Sequence, residues 1–151
     1  MPGRIEGIFV ATECMDPLES MSEVQALPGR GLSGDRYCSE FGVRSDPDRQ
    51  ITLIEAEAIE SAARDTGSDF SAGRSRRNLV TRHIRLLDLI GCRFTVGPVT
   101  LRGIRDCTPC GHLAKLTGCD ATGALYRRGG LRAEVLTEGM IRVGDTVARC
   151  R

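Results

Sequence analysis

The sequence predicts a mainly β fold, a closed β-barrel or closed β-sandwich, built as one domain over residues 1–151. Three observations carry this. Glycine makes up 18 of 151 residues, above the usual share of about 7%, so turns are frequent. About seven short runs rich in apolar and β-branched residues recur along the chain. Only one long stretch repeats with a helical period.

The elements follow in order. RIEGIFVA (4–11) is apolar and β-branched and predicts a strand, and SEVQAL (22–27) a shorter one. PGRGLSGDRY (28–37) and EFGVRSDPDR (40–49) are broken by glycine and proline and predict loops. QITLI (50–54) is a strand. EAEAIESAARDTG (55–67) is the clearest helix: Ala58, Ile59, Ala62 and Ala63 form its apolar face, acids sit in the first turn, and Gly67 can close it. SDFSAGRSRR (68–77) is loop and NLVT (78–81) a short strand. CRFTV (92–96), a Gly-Pro turn and VTLRGIR (99–105) predict a hairpin. LRAEVL (131–136), MIRV (140–143) and TVARC (146–150) predict an antiparallel meander, with Gly144-Asp145 as the last hairpin turn.

Composition excludes several classes. Net charge is +1 and aromatics are 4%, so RSRR (74–77) without a recognition module is no case for nucleic acid. No apolar run approaches the roughly 20 residues that span a bilayer, and MPGRIEGIFV lacks the regions of a signal peptide. A cytoplasmic location is expected. Seven cysteines there read as thiols, ligands or catalytic groups before disulfides.

Chemistry concentrates in DCTPCGHLAKLTGC (106–119), which holds Cys107, Cys110, His112 and Cys119. Cys107 and Cys110 have the spacing of half a zinc site, but no matching half follows at the usual distance. Cys110 and His112 are two residues apart, which on a helix points them in different directions. Thr108 as N-cap and Pro109 at the first helical position predict a short helix that stops at Gly118. Cys110 then lies at its second position, where unpaired N–H groups and about half a positive charge of macrodipole favour a thiolate. Cys107 and Cys119 lack that placement and read as small buried hydrophobes.

Four stretches in order resemble the MOSC domain, the C-terminal domain of molybdenum cofactor sulfurases that also occurs as small stand-alone bacterial proteins. They are GLSGDRY (31–37), RRNLVT (76–81), VTLRGIR with CTPCGHL (99–113), and RRGGLRAEVLTEGMIRVGD (127–145). The resemblance implies a MOSC-type β-barrel with a few short helices. It implies binding of molybdenum cofactor (molybdopterin) and carriage or transfer of sulfur. It maps the family's signature cysteine, in a Pro-Cys pair, onto Cys110, as a persulfide-forming or molybdenum-ligating thiolate. Some relatives carry Glu where this chain has Thr108.

The remaining motifs gain roles beside that resemblance. Arg77 and Asn78, at a loop-to-strand junction, offer a charged fork and a planar amide to a phosphate or pterin. Asp35 and Arg36 in GLSGDRY offer an acceptor and a donor, and Arg128 in RRGGL a further donor. Arg74 and Arg76 read as solvated, and His83 and His112 as structural. Sulfur would come from a separate pyridoxal-phosphate-dependent cysteine desulfurase: the only lysine, Lys115, lies on the short helix, and the chain cannot hold that domain as well. Two other readings stay open. One is a thioredoxin-like dithiol protein with Cys107 as nucleophile and Cys110 as resolving thiol, although the surrounding chain lacks the βαβ alternation it expects. The other is a module that stores or delivers cofactor without turnover. The sequence leaves turnover and oligomeric state undetermined.

Overall fold

The computed structural model describes residues 3–11, 19–35, 38, 50–66, 77–106 and 130–150. Eleven strands and one α-helix lie within them: β1 (Gly3–Val10), β2 (Glu19–Met21), β3 (Glu23–Leu27), β4 (Gly31–Leu32), β5 (Ile51–Glu55), α1 (Ala56–Thr66), β6 (Leu79–Arg82), β7 (Arg93–Val96), β8 (Val99–Asp106), β9 (Leu131–Val135), β10 (Gly139–Arg142) and β11 (Thr146–Arg149). A 3-10 turn spans Leu86–Leu89.

Seven strands close into a barrel in the order β1, β6, β5, β9, β8, β7, β11, and β11 pairs back to β1. Closure removes the open edges that a flat sheet would leave. Every pairing in the ring is antiparallel except β5 with β6, which run parallel. Parallel neighbours need a crossover, and α1 supplies it. Ala56, Ala58 and Ile59 of α1 are buried; the side chains of Ala62 and Ala63 lie outside the described residues. β1 is long enough to serve three partners: β6 along one edge, β11 at Gly3 and Arg4, and β2 at Ile8, Phe9 and Val10.

Alternation sorts the side chains. On β5, Ile51 and Leu53 enter the core, on β9 Leu131, Ala133 and Val135, and on β7 Phe94 and Val96. Leu86 and Leu89 of the 3-10 turn join the same core. The turn lies so close to β8 that a Cβ on Gly103 would collide with the Leu89 carbonyl.

Two expectations change. The last three strands are not a meander. β9 lies between β8 and β5, β10 pairs with β3 in a separate three-stranded sheet with β4, and β11 lies between β7 and β1. Gly144-Asp145 is therefore a corner between two sheets. The N–H of Gly144 donates to the Ile5 carbonyl, and the N–H of Ile5 to the Asp145 carbonyl, both at 2.8 Å. β1 captures the corner, so β10 is released to β3. The second change is inside the loop expected over 28–37, where Gly31 and Leu32 form β4 against Leu27 and Ala26. The hairpin of β7 and β8 forms as expected, with Val96 opposite Val99.

Candidate functional site

The outer face of the barrel carries one row of polar residues across four adjacent strands. Asn78, just before β6, lies beside Thr52 of β5; Thr52 is in register with Arg132 of β9, and Arg132 with Arg105 of β8. Core residues flank Thr52 (Ile51 and Leu53) and Arg132 (Leu131 and Ala133) on their own strands, so alternation turns these positions outward.

The Asn78–Thr52 end is a closed brace. The Oδ1 of Asn78 accepts from the N–H of Thr52 and from its hydroxyl, both at 3.1 Å. The Asn78 N–H donates to the Thr52 hydroxyl at 3.0 Å, and its Nδ2 donates to the Phe9 carbonyl at 3.1 Å. Both residues are buried. The amide thus ties β1, β5 and the head of β6 together, and a buried donor left unmade there would be costly.

The Arg132–Arg105 end is electrostatically different. A bulge shifts the β8 register between Gly103 and Arg105. Without the extra residue, Arg105 would fall on the inward face with Leu101 and Gly103. The bulge turns it outward, directly opposite Arg132. Side chains so opposed have Cβ atoms about 4.5–5.5 Å apart. The preceding outward rung of the same ladder is neutral: Arg102 lies opposite Glu134, and Nε to Oε1 is 2.8 Å.

The segment holding Cys107, Cys110, His112, Cys119 and Arg128 runs from 107 to 129 and lies outside the described residues, as do Arg36, Arg74 and Arg76. Its two anchors are described. Asp106 ends β8 and is in register with Leu131. Gly130, at φ +111°, opens β9 so close to β5 that any Cβ would collide with the Leu53 carbonyl. Leu131 is also in register with Leu53, and Leu53 with Leu79. The β9 end of the segment therefore meets the barrel two strands from the Arg77-Asn78 head of β6, a spacing of roughly 10 Å, and the β8 end three strands from it, roughly 14 Å.

The other expected residues have these places. Arg77 is 8% exposed, an unusual depth for a guanidinium. Asp35 is buried, and its Oδ1 accepts from the N–H of Ala11 at 3.2 Å. It thereby holds the end of β1. Cys38 follows, its N–H bonded to the Asp35 carbonyl. Burial pushes its thiol above the ordinary range, Arg30 opposes that shift, and Asp35 adds to it. His83 has φ +65° and donates its backbone N–H to a Glu57 carboxylate oxygen at 3.0 Å.

A separate cleft of about 230 Å³ lies between α1 and the outer wall, over Gly7, Ala56, Ile59 and Val80. Its rim is neutral within itself: Arg82 donates to Glu6 at 2.8 Å and to both oxygens of Glu60 at 3.1 and 3.2 Å, and Arg4 lies 3.9 Å from Glu6.

Sequence reading missed Arg105 and Arg132. The signal was Gly103 inside the strand pattern RGIR, since a strand glycine often marks a bulge. No group of three or more His, Cys, Asp or Glu side chains placed to hold a metal ion occurs among the described residues. No described helix is long and apolar enough to cross a membrane.

Molybdopterin presents a phosphate, a dithiolene and a polar pterin. Guanidinium groups at Arg77, Arg105 and Arg132 suit the phosphate. No described residue on the row offers a soft ligand to a metal.

The fold has close structural counterparts. The YuaD protein of Bacillus subtilis superposes with a TM-score of 0.79 at 18% identity, over 97% of this chain and 94% of that one. YiiM of Geobacillus stearothermophilus gives 0.76 at 19% identity, over 99% and 76%. YiiM of Escherichia coli gives 0.72 at 18% identity, over 98% and 70%. These likenesses define the class as this barrel. The family model of the MOSC domain matches residues 40–148, and the chain belongs to that family, which is associated with molybdenum cofactor binding and sulfuration. No curated protein matches the chain.

Proposed function

We propose that this chain binds molybdenum cofactor on the face beside β6, β5 and β9, and handles sulfur through the Cys110 thiol. The observation that carries the reading is buried Arg77 at the head of β6, two strands from the β9 anchor of the segment holding Cys110, with Arg105 and Arg132 on the two anchoring strands. Four residues of chain reach at most about 14 Å, so Cys110 stays within that distance of Asp106. Arg77 holds the anionic end of the cofactor. Asn78 fixes the head of β6 and retains one Nδ2 hydrogen beyond its bond to Phe9. Asp35 positions the end of β1, and Arg36 and Arg128 supply further donors. Molybdenum, when present, supplies the sulfur-accepting or redox centre.

Cys110 acts as thiolate. It attacks the outer sulfur of a persulfide on a donor, the donor's thiolate leaves, and Cys110 carries the sulfur; alternatively its thiolate ligates the metal directly. The donor is a pyridoxal-phosphate-dependent cysteine desulfurase. The dithiol reading loses ground to the fold: the one βαβ unit among the described residues is β5–α1–β6, whereas the CTPC segment joins β8 to β9, which pair antiparallel.

The test is protein purified from a host that makes molybdenum cofactor, assayed by elemental analysis and pterin fluorescence. Arg77→Ala should lose about tenfold to a hundredfold in pterin affinity, the loss of one charge-assisted bond. Cys110→Ser should abolish sulfur carriage while Cys107→Ser keeps most of it. Equal, complete loss in both would restore the dithiol reading. In iodoacetamide alkylation at pH 7, Cys110 should react ahead of Cys119 and Cys14.

A further inference from the structure

A second, smaller apolar layer lies outside the barrel core, where α1 packs on the outer wall. Ile54, Ala56, Ala58, Ile59 and Val80 are buried there but do not belong to the core cluster. Beside β1 the layer is incomplete. A bulge shifts the β1 register between Ile5 and Gly7. Ile5 and Ile8 both enter the core, so the two residues between them, Glu6 and Gly7, both face outward. The backbone of Gly7 is not in the left-handed region, so its conformation does not call for glycine. What the missing side chain leaves is room. The cleft of about 230 Å³ over Gly7, Ala56, Ile59 and Val80 is that room. At about 30 Å³ for each water it holds roughly seven, so a molecule of single-ring size fits.

Arg82 spans the mouth. Its Nε donates to Glu6 on β1 at 2.8 Å, and its two Nη atoms donate to the two Glu60 oxygens on α1 at 3.2 and 3.1 Å. The guanidinium is thus a bar fixed to both walls, and a ligand meets it already ordered. With Arg4 3.9 Å from Glu6, the rim charges balance. An anion would meet Glu6 and Glu60, and a cation would meet Arg82, so neither is favoured. The bonds to the walls use three of the five N–H groups, all in the guanidinium plane, and leave its flat faces open. Among the described residues, no aromatic side chain lines the cleft to cover them. An aromatic ring matches what is left. It stacks on the guanidinium through a cation–π contact and buries its remaining surface on Ile59 and Val80. A saturated ring of the same size gains the burial without the stacking.

We propose that this cleft binds one small, uncharged, planar aromatic molecule of single-ring size, for which phenol is the probe. The site draws on none of the residues assigned to the cofactor, so it is independent of that reading.

The experiment is titration of the isotope-labelled full chain with phenol, and separately with cyclohexanol, followed through backbone amide shifts. Phenol should shift Gly7, Ala56, Ile59, Val80 and Arg82 saturably, with a Kd in the millimolar range or tighter. Cyclohexanol should bind about threefold to fivefold more weakly, the difference that the guanidinium face makes. Arg82→Met keeps an apolar stem and removes the guanidinium, and should bind phenol no better than wild type binds cyclohexanol. Arg85→Gln, at an exposed position outside the cleft, should leave phenol binding unchanged. The proposal is overturned if phenol gives no saturable shift or shifts residues away from the cleft. It is equally overturned if cyclohexanol binds as tightly, if Arg82→Met binds phenol as wild type does, or if Arg85→Gln loses as much. The comparison of phenol with cyclohexanol uses wild type alone, so it decides the matter even where Arg82→Met does not melt cooperatively.

Discussion

Two neighbouring rungs of the β8–β9 ladder carry opposite electrostatics. At Arg102–Glu134 a guanidinium neutralises a carboxylate that is 3% exposed. At Arg105–Arg132 two guanidinium groups share the same kind of rung, brought there by a bulge. The first rung behaves as structure: its two charges satisfy each other. The second sets two guanidinium groups on one rung, and both make further interactions. A one-residue shift in register therefore decides which charges meet across a ladder.

Substitutions can invert each rung. Glu134→Arg would make the neutral rung match its neighbour, but inside a buried position. It should cost about 3–5 kcal/mol, the range for breaking a buried pair, read as a lower urea midpoint. A loss under about 1 kcal/mol would mean that burial does not separate the two rungs. Asn78→Leu tests the brace at the far end of the row. It removes the acceptor of the buried Thr52 N–H and should cost about 2–3 kcal/mol by the same measurement. Unchanged stability would show that the row is not held from that end. Arg105→Glu makes the charged rung match its neutral neighbour. It should raise stability by about 0.5 kcal/mol at low salt, and the gain should shrink as salt screens it. A destabilised protein would mean that Arg105 supports the fold through its other contacts.

The smallest effect belongs to the Arg82 cluster. Its hydrogen bond, more than its charge, holds the Glu60 carboxyl below the ordinary carboxylate value. A lowered folded pKa adds stability above the unfolded value, and the gain is lost as pH falls through the lowered one. Glu60→Gln should therefore differ from wild type in melting temperature near neutral pH and converge with it below about pH 4. The pair is exposed, so the difference is slight. A gap that persists at pH 3 would show that the pair's effect is not ionic.

Element positions were legible because alternation and helical period are local. QITLI and VTLRGIR gave β5 and β8 to within a residue at each end. Partner choice was not legible. β10 leaves β9 and β11 because β1 captures the Gly144 corner, a contact over 139 residues of sequence, from Ile5 to Gly144. β2 and β4 have three and two residues, too few to show a period. Asn78 and Asp35 stood out as polar residues near turns, and in the structure both make internal bonds to β1. A polar side chain at a strand head looks alike in sequence whether it braces the fold or meets a ligand. Arg105 was missed for the opposite reason: the RGIR pattern reads as alternation, Gly103 only hints at a bulge, and the β9 register reveals the extra residue.

Barrel closure also sets a clock. Gly3 pairs with Val147, so the first strand waits for nearly the last to be synthesised, on the order of ten to thirty seconds at ordinary ribosomal rates. During that interval an unpaired strand edge is a template for other nascent chains. β2 shortens the hazard. It pairs with Ile8, Phe9 and Val10 almost as soon as it emerges, on the side of β1 that β11 will later complete. Only the stretch around Gly3 and Arg4 then stays open until β11 arrives. A three-residue strand with every side chain exposed contributes little to the finished core, and its value lies in the seconds before that core exists.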